Sequence, residues 1–212
     1  MYLRQKLARW WAYSRANIHL QHSLTHLSRS EDERAFRTAD KAVQLNPQLA
    51  DAYNTRARAR YRLQDYQGAA ADFSTVLSMG TRRADVYLNR ALALSAEGQL
   101  EDAFGDANMA IHLAPKEALA YNCRGLLDDL QGNLSGAIAD YTQAIRLNPR
   151  IDVAYTNRGS ARASRGDIAG AVADYQRYLE LGGGRRHGDQ SQVEALIDTL
   201  KGQLSERTAR EA

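Results

Sequence analysis

Small, aromatic and charged positions along this chain repeat every 34 residues. Tyrosine stands at Tyr53, Tyr87, Tyr121 and Tyr155, and arginine three places later at Arg56, Arg90, Arg124 and Arg158. Alanine follows the same interval at Ala69, Ala103, Ala137 and Ala171, and aspartate at Asp72, Asp106, Asp140 and Asp174. Four series that keep one interval over four copies mark stacked supersecondary repeats. The register divides the chain into 16–49, 50–83, 84–117, 118–151 and 152–185. Each copy reads as two helical patterns. In the last, "RGD" at Arg165–Asp167 closes one pattern and a second starts near Ala169; "AEGQL", "LQGNL" and "RLQDY" mark the same turn in other copies.

The small residues Ala57, Ala91, Gly125 and Gly159 fall where a first helix must approach its partner closely. The bulky Phe73, Tyr141 and Tyr175 stand four places after the alanine series and fill the layer between helices. A lone helix pair cannot bury such faces, so neighbouring pairs must stack. The only prolines, Pro47, Pro115 and Pro149, lie 68 and 34 residues apart, in "LNPQ", "LAPK" and "LNPR". Proline belongs at helix boundaries, and these mark the ends of copies. The arginine and aspartate series run together through repeats two to five. Repeat one has neither, with His22 and Thr38 in those places. Their co-occurrence predicts a ladder of partly buried, bidentate arginine–carboxylate pairs.

These residues and their 34-residue spacing resemble the tetratricopeptide repeat (TPR) family over residues 16 to about 185. Repeats three to five follow the family pattern, repeat two has Thr81 in place of proline, and the first helix of repeat one is degenerate. The resemblance implies an all-α, right-handed solenoid of stacked antiparallel helix pairs. It also implies a concave groove lined from positions two, five, nine and twelve of each first helix. Carried onto this chain, those are Asp51, Asn54, Arg58 and Tyr61 in repeat two, and Asp85, Leu88, Leu92 and Ser95 in repeat three. Repeat four gives Leu119, Asn122, Leu126 and Asp129, and repeat five Val153, Thr156, Ser160 and Ala163. An apolar centre at Leu88, Leu92 and Leu126, flanked by Arg58, Tyr61 and Asn122, suits a peptide with apolar anchors. The competing reading makes some of these leucines packing residues. The lysine–asparagine clamp that some relatives use for chaperone tails is missing from every repeat. A partial asparagine ladder at position six, Asn89 and Asn157, resembles that of the protein O-GlcNAc transferases.

Beyond the repeats, "GGGRRHGDQSQVEALIDTLKGQL" gives a glycine-rich break and a helix over about 186–204. Val193, Leu196, Ile197, Leu200 and Leu204 share one face of it, and Ser191 with Glu194 forms a capping box. This is the expected C-terminal cap of the solenoid. A phosphate-binding loop lacks its GK[ST] ending. Residues 205–212 are expected to be a flexible tail.

Composition narrows function. Hydrophobic residues make up 44% of the 212 positions and charged ones 25%, ordinary values for a folded soluble protein. The net charge of +3 conceals +5 on the first thirty residues, which contain no acid, and −2 on the remainder. The repeat body thus offers no basic field for nucleic acid. The single cysteine, Cys123, cannot form an internal disulfide and suits a cytoplasmic setting. No nucleophile, base or nucleotide motif emerges and no cofactor is implied, so the expected role is non-enzymatic: an interaction scaffold for a protein or peptide.

Two features stand outside this scheme. In "MYLRQKLARWWAYSR", Leu3, Leu7, Trp10 and Trp11 share a helical side, with basic residues elsewhere. Residues 1–15 are therefore an extension of the first helix, an organellar targeting peptide, or a peripheral anchor on anionic membrane. In "IHLQHSLTHL", His19, His22 and His26 lie on one helical stripe at repeat positions four, seven and eleven. His22 and His26, with Glu31 or Asp32, are the metal-binding alternative to a packing role. Leu20, Leu24 and Leu27 then occupy the groove positions of repeat one. Either that helix is rotated in its socket, or the groove opens on an apolar patch.

Overall fold

The computed structural model describes the backbone of residues 2–211 and, apart from residues 2–5, 7–9, 207, 210 and 211, their side chains. Among the described residues there are twelve helices and no strand. The chain divides into two compact units, Met1–Leu113 and Ala114–Ala212.

The first unit holds three helix pairs: α1 (Tyr2–Ser28) with α2 (Asp32–Leu45), α3 (Ala50–Arg62) with α4 (Tyr66–Ser78), and α5 (Ala84–Ala96) with α6 (Leu100–Leu113). Successive pairs stack through α2 on α3 and α4 on α5. The second unit pairs α7 (Ala118–Leu130) with α8 (Leu134–Leu147) and α9 (Asp152–Ser164) with α10 (Ile168–Glu180). It continues into the short α11 (Gly183–His187) and α12 (Gln190–Glu211), which packs on α10.

One turn closes every pair. Ser30, Gln64, Gly98, Gly132 and Gly166 recur every 34 residues, and all five have positive φ. In each, the next backbone N–H reaches back five residues, as in Glu31 to His26, Asp65 to Arg60 and Asp167 to Arg162. This is the glycine-type helix stop, which satisfies carbonyls the helix leaves open. Asp65, Asn133 and Asp167 then cap the second helices by accepting from the N–H of Gly68, Gly136 and Gly170. A Cβ on Gly68 would stand 2.3 Å from the Asp65 carboxylate, so glycine there leaves that side chain free to fold over the helix end. Asn133 is thereby a capping residue.

Small residues permit the close approaches. Ala57 and Ala91 are fully buried, and Tyr141 lies so near α7 that a Cβ on Gly125 would sit 2.9 Å from its ring. Repeat one keeps this register, because Ser23 at the same position is fully buried and its hydroxyl donates to the Ala35 carbonyl. The first helix is therefore not rotated. Leu20 packs on Ala42, Val43 and Ala52, Leu27 packs on Ala35 and Ala59, and Leu24 is exposed.

The arginine ladder links more helices than the pairing pattern predicts. Nε and Nη2 of Arg56, Arg90, Arg124 and Arg158 grip Asp72, Asp106, Asp140 and Asp174 bidentately at 2.6–2.9 Å. Nη1 of Arg56, Arg90 and Arg158 turns the other way, to Asp40, Ser74 and Thr142 of the preceding repeat. Each arginine also lies over the tyrosine three residues before it, 5.2–5.9 Å from the ring centre. Hydrogen bonding to the aspartate raises the pKa of Arg56, Arg90 and Arg124 against the opposing effect of burial.

The C-terminal region corrects four expectations. The glycine run is packing rather than a loop, since Gly183 and Gly184 are buried and a Cβ on Gly183 would strike the Tyr178 ring. Helix α12 starts at Gln190, so Ser191 lies inside it, and Glu194 accepts from the Gln190 amide instead of closing a capping box. Of its predicted apolar face, Val193, Ile197 and Leu200 are buried against Tyr175 and Tyr178, while Leu196 is exposed. The helix runs on to Glu211, so residues 205–211 are not a separate tail. The Tyr178 hydroxyl donates to Asp189, and burial is the main reason its pKa is pushed up to about 12.

Candidate partner-binding groove

In the first unit the groove positions separate by depth. Asn54 and Leu88, at position five, are buried; Leu88 is 8% exposed and is a packing residue, not part of an apolar groove centre. Arg58, Tyr61, Asn89 and Leu92 instead come together. With Arg62 and Phe73 they line a concavity of about 200 Å3. Helix periodicity explains the grouping: positions nine and twelve of α3 share a face, and positions six and nine of α5 face the same space.

Arg62 and Phe73 were not legible as site residues. Arg62 lies one place past a groove position. Phe73 belongs to the second-helix series and reaches the floor of the concavity only because Ala57 leaves room above it.

Arginines dominate α3, in the stretch Arg56–Arg62, and most are already engaged. Arg56 holds Asp72 and Asp40. Arg60 pairs with Asp72 and donates to the Gly68 carbonyl. Arg62 donates to the Leu27 carbonyl at 2.9 Å and to Asp32 at 3.2 Å. Arg58 is exposed and has no acid partner among the described residues.

The second unit offers a different set. The Asn157 amide donates to the Asn122 carbonyl oxygen at 3.1 Å, so the two predicted asparagines form one half-buried pair. Leu126 is half-buried beside them in sequence register. Asp129 has no ion-pair partner among the described residues, and burial raises its pKa. The Tyr141 hydroxyl is buried and has no hydrogen-bond partner among the described residues. Leu126 stands at the position in repeat four that Ser160 holds in repeat five.

The histidine stripe is dispersed. His22 is exposed, and His26 Nδ1 lies within hydrogen-bonding distance of Glu31, whose pKa falls chiefly through that contact. His19 is half-buried, and its Nδ1 has no hydrogen-bond partner among the described residues. Its pKa is lowered first by burial and then by Lys41, His22 and Arg15. Asp32, the other acid considered, pairs with Arg62. No cluster of three or more potential metal ligands occurs among the described residues.

At the N-terminus, Trp10 and Trp11 are each 59% exposed and meet edge to face, with Tyr13 exposed nearby. The side chains of Leu3 and Leu7 lie outside the described residues. Among the described residues, no helix is long and apolar enough to cross a membrane.

The repeat geometry has its counterpart among known proteins. The chain matches the family model for the tetratricopeptide repeat over residues 54–118 and 127–186, more than half its length, and it belongs to that family. A thermophilic TPR protein of Thermus thermophilus superposes with a TM-score of 0.72 at 20% identity, over 87% of this chain and 98% of the other. The pilF protein of Pseudomonas aeruginosa gives 0.71 at 19% identity, over 92% and 93%. YrrB, described as a TPR protein with an unusual peptide-binding site, gives 0.59 at 21% identity, over 77% and 84%. At these identities the likeness carries the fold alone. Among curated proteins none matches. A TPR fold is that of a protein-interaction scaffold.

Proposed function

We propose that the chain is a non-enzymatic scaffold that binds a protein or peptide segment along the exposed faces of its first helices. The observation that supports this most directly is the concavity lined by Arg58, Tyr61, Asn89 and Leu92, where donors surround an apolar floor without any carboxylate. Clefts that combine apolar lining with a few directed polar groups are the usual form of a recognition site. In the second unit, Asn122, Leu126 and Asn157 are the corresponding contacts. The test is photo-crosslinking from Tyr61, Leu92, Asn122 or Leu126, with Leu92→Asp as the disabling variant. Crosslinks at these positions that vanish in folded L92D are the expected result. Capture that L92D leaves unchanged would overturn the groove.

A second reading is favoured by the exposed Trp10, Trp11 and Tyr13 on a segment free of acids: residues 1–15 attach the scaffold to anionic membrane. Vesicles containing phosphatidylserine should sediment the full chain but not the Trp10→Ala/Trp11→Ala double variant. Equal sedimentation of the two would sink this reading.

A further inference from the structure

We infer that the concavity between α3 and α5 selects an acidic segment: an Asp or Glu side chain held by Arg58, with a neighbouring apolar side chain seated on Leu92 and Tyr61. This rests on the groove reading above and specifies the chemistry of its occupant.

Four arginines lie on α3 within seven residues, at 56, 58, 60 and 62. Three are spent inside the protein. Arg56 bridges Asp72 and Asp40, Arg60 reaches Asp72, Asp65 and the Gly68 carbonyl, and Arg62 is tied to Asp32 and the Leu27 carbonyl. Residues two apart point to nearly opposite sides of a helix. Arg56 therefore turns into the ladder, and Arg58 turns out of it. Arg58 is the arginine of this stretch with no acid partner among the described residues, and it lines the concavity. An unpaired guanidinium presents a planar fork of donors that matches a carboxylate bidentately.

The surroundings set the sign. No lining residue is acidic, and the side-chain amide of Asn89 is likewise without a partner among the described residues. Arg62 adds a second guanidinium, partly neutralised by Asp32. A lysine or arginine from a partner would meet like charge here, whereas a carboxylate completes the donors. Phe73 is fully buried and Leu92 half-buried, so the floor is apolar, and about 200 Å3 accommodates side chains rather than a whole domain.

The experiment is selection of a displayed random peptide library on the immobilised full chain, with Arg58→Gln and Leu92→Asp as comparison baits of verified helicity and unchanged melting. Expected on the wild-type protein is enrichment of Asp or Glu at one position beside Leu, Ile, Phe or Met. A synthetic peptide made from that consensus should bind about tenfold more weakly to R58Q, the loss of one charge-assisted contact. Replacing the peptide's acid by its amide should cost a similar factor, and the two losses should not add. Peptides that are lost with L92D but show no acidic preference, or that bind R58Q equally, overturn the acidic inference and leave the groove reading standing. If no selected peptide depends on Leu92, the groove reading falls, and this inference with it.

Discussion

Repeats one and two use the same turn and the same close packing, yet only repeat two carries the ladder. Ser23 and Ala57 are both fully buried at the equivalent place, and Ser30 and Gln64 both take positive φ in the turn that follows. At position seven, however, Arg56 ties three helices together while His22 is exposed. Position three tells the same story: Ala52 and Val86 are fully buried, and Ile18 is 54% exposed. The difference teaches that the conserved geometry has two separable parts. Small residues and the turn build a helix pair; the arginine locks that pair through its aspartate and, through Nη1, joins it to the one before.

That division gives the largest expected effect. Asp72→Ala leaves Arg56 with its bidentate partner removed in a site where Asp72 is 5% and Arg56 13% exposed. Breaking such a buried pair costs about 3–5 kcal/mol. His22→Ala, at Arg56's counterpart position, should stay within about 0.5 kcal/mol, as exposed substitutions do. Urea unfolding monitored by circular dichroism distinguishes them, and equal losses would show that the ladder gives repeat two nothing that repeat one lacks.

Packing inside a pair comes next. Gly125→Ala places a methyl 2.9 Å from the ring of the fully buried Tyr141, beside the Ala137 carbonyl at 3.2 Å. Overpacking of this kind costs about 1–3 kcal/mol. A melting temperature equal to wild type would mean that α7 and α8 separate freely, contrary to the role given to small residues in every pair.

The turn should show no difference between repeats. Ser30→Gly and Gln64→Gly each relieve a left-handed conformation that side chains disfavour, and each should stabilise by about 0.5–1 kcal/mol. Thermal melts of the two variants should shift upward by similar amounts. A gain in one repeat alone would break the parallel.

Much of this architecture was legible because a 34-residue period exposes what each position must do: tyrosine, arginine, alanine and aspartate recur where one contact recurs. The ladder's second reach was hidden because its receiving position varies among Asp40, Ser74 and Thr142, which share only a hydrogen-bond acceptor. The candidate site was half legible. Position numbers brought Arg58, Tyr61, Asn89 and Leu92 together but also included Leu88, whose burial depends on how deeply α5 sits against its neighbours. Phe73 enters from a second helix, beyond the reach of any first-helix rule. At the C-terminus, glycines that resemble a loop signal form a short helix because the Tyr178 ring leaves no room for a Cβ.

The smallest effect is the sharpest test of the comparison. Grafting the missing pair onto repeat one, His22→Arg with Thr38→Asp, restores the residues that positions seven and twenty-three hold elsewhere, in a helix pair whose register Ser23 already preserves. If the ladder were strong by itself, the graft would stabilise as much as Arg56–Asp72 does. Its new arginine lacks the acceptor that Asp40 supplies to Arg56 from the neighbouring pair, and it stands where His22 is exposed. An exposed pair contributes about 0.2–1 kcal/mol and weakens with salt. A double-mutant cycle in low and high salt should therefore return a small, salt-sensitive coupling for repeat one. The Arg56–Asp72 cycle should return a coupling several times larger that salt scarcely moves. Equal couplings would show that the contact to the preceding pair adds nothing to the ladder.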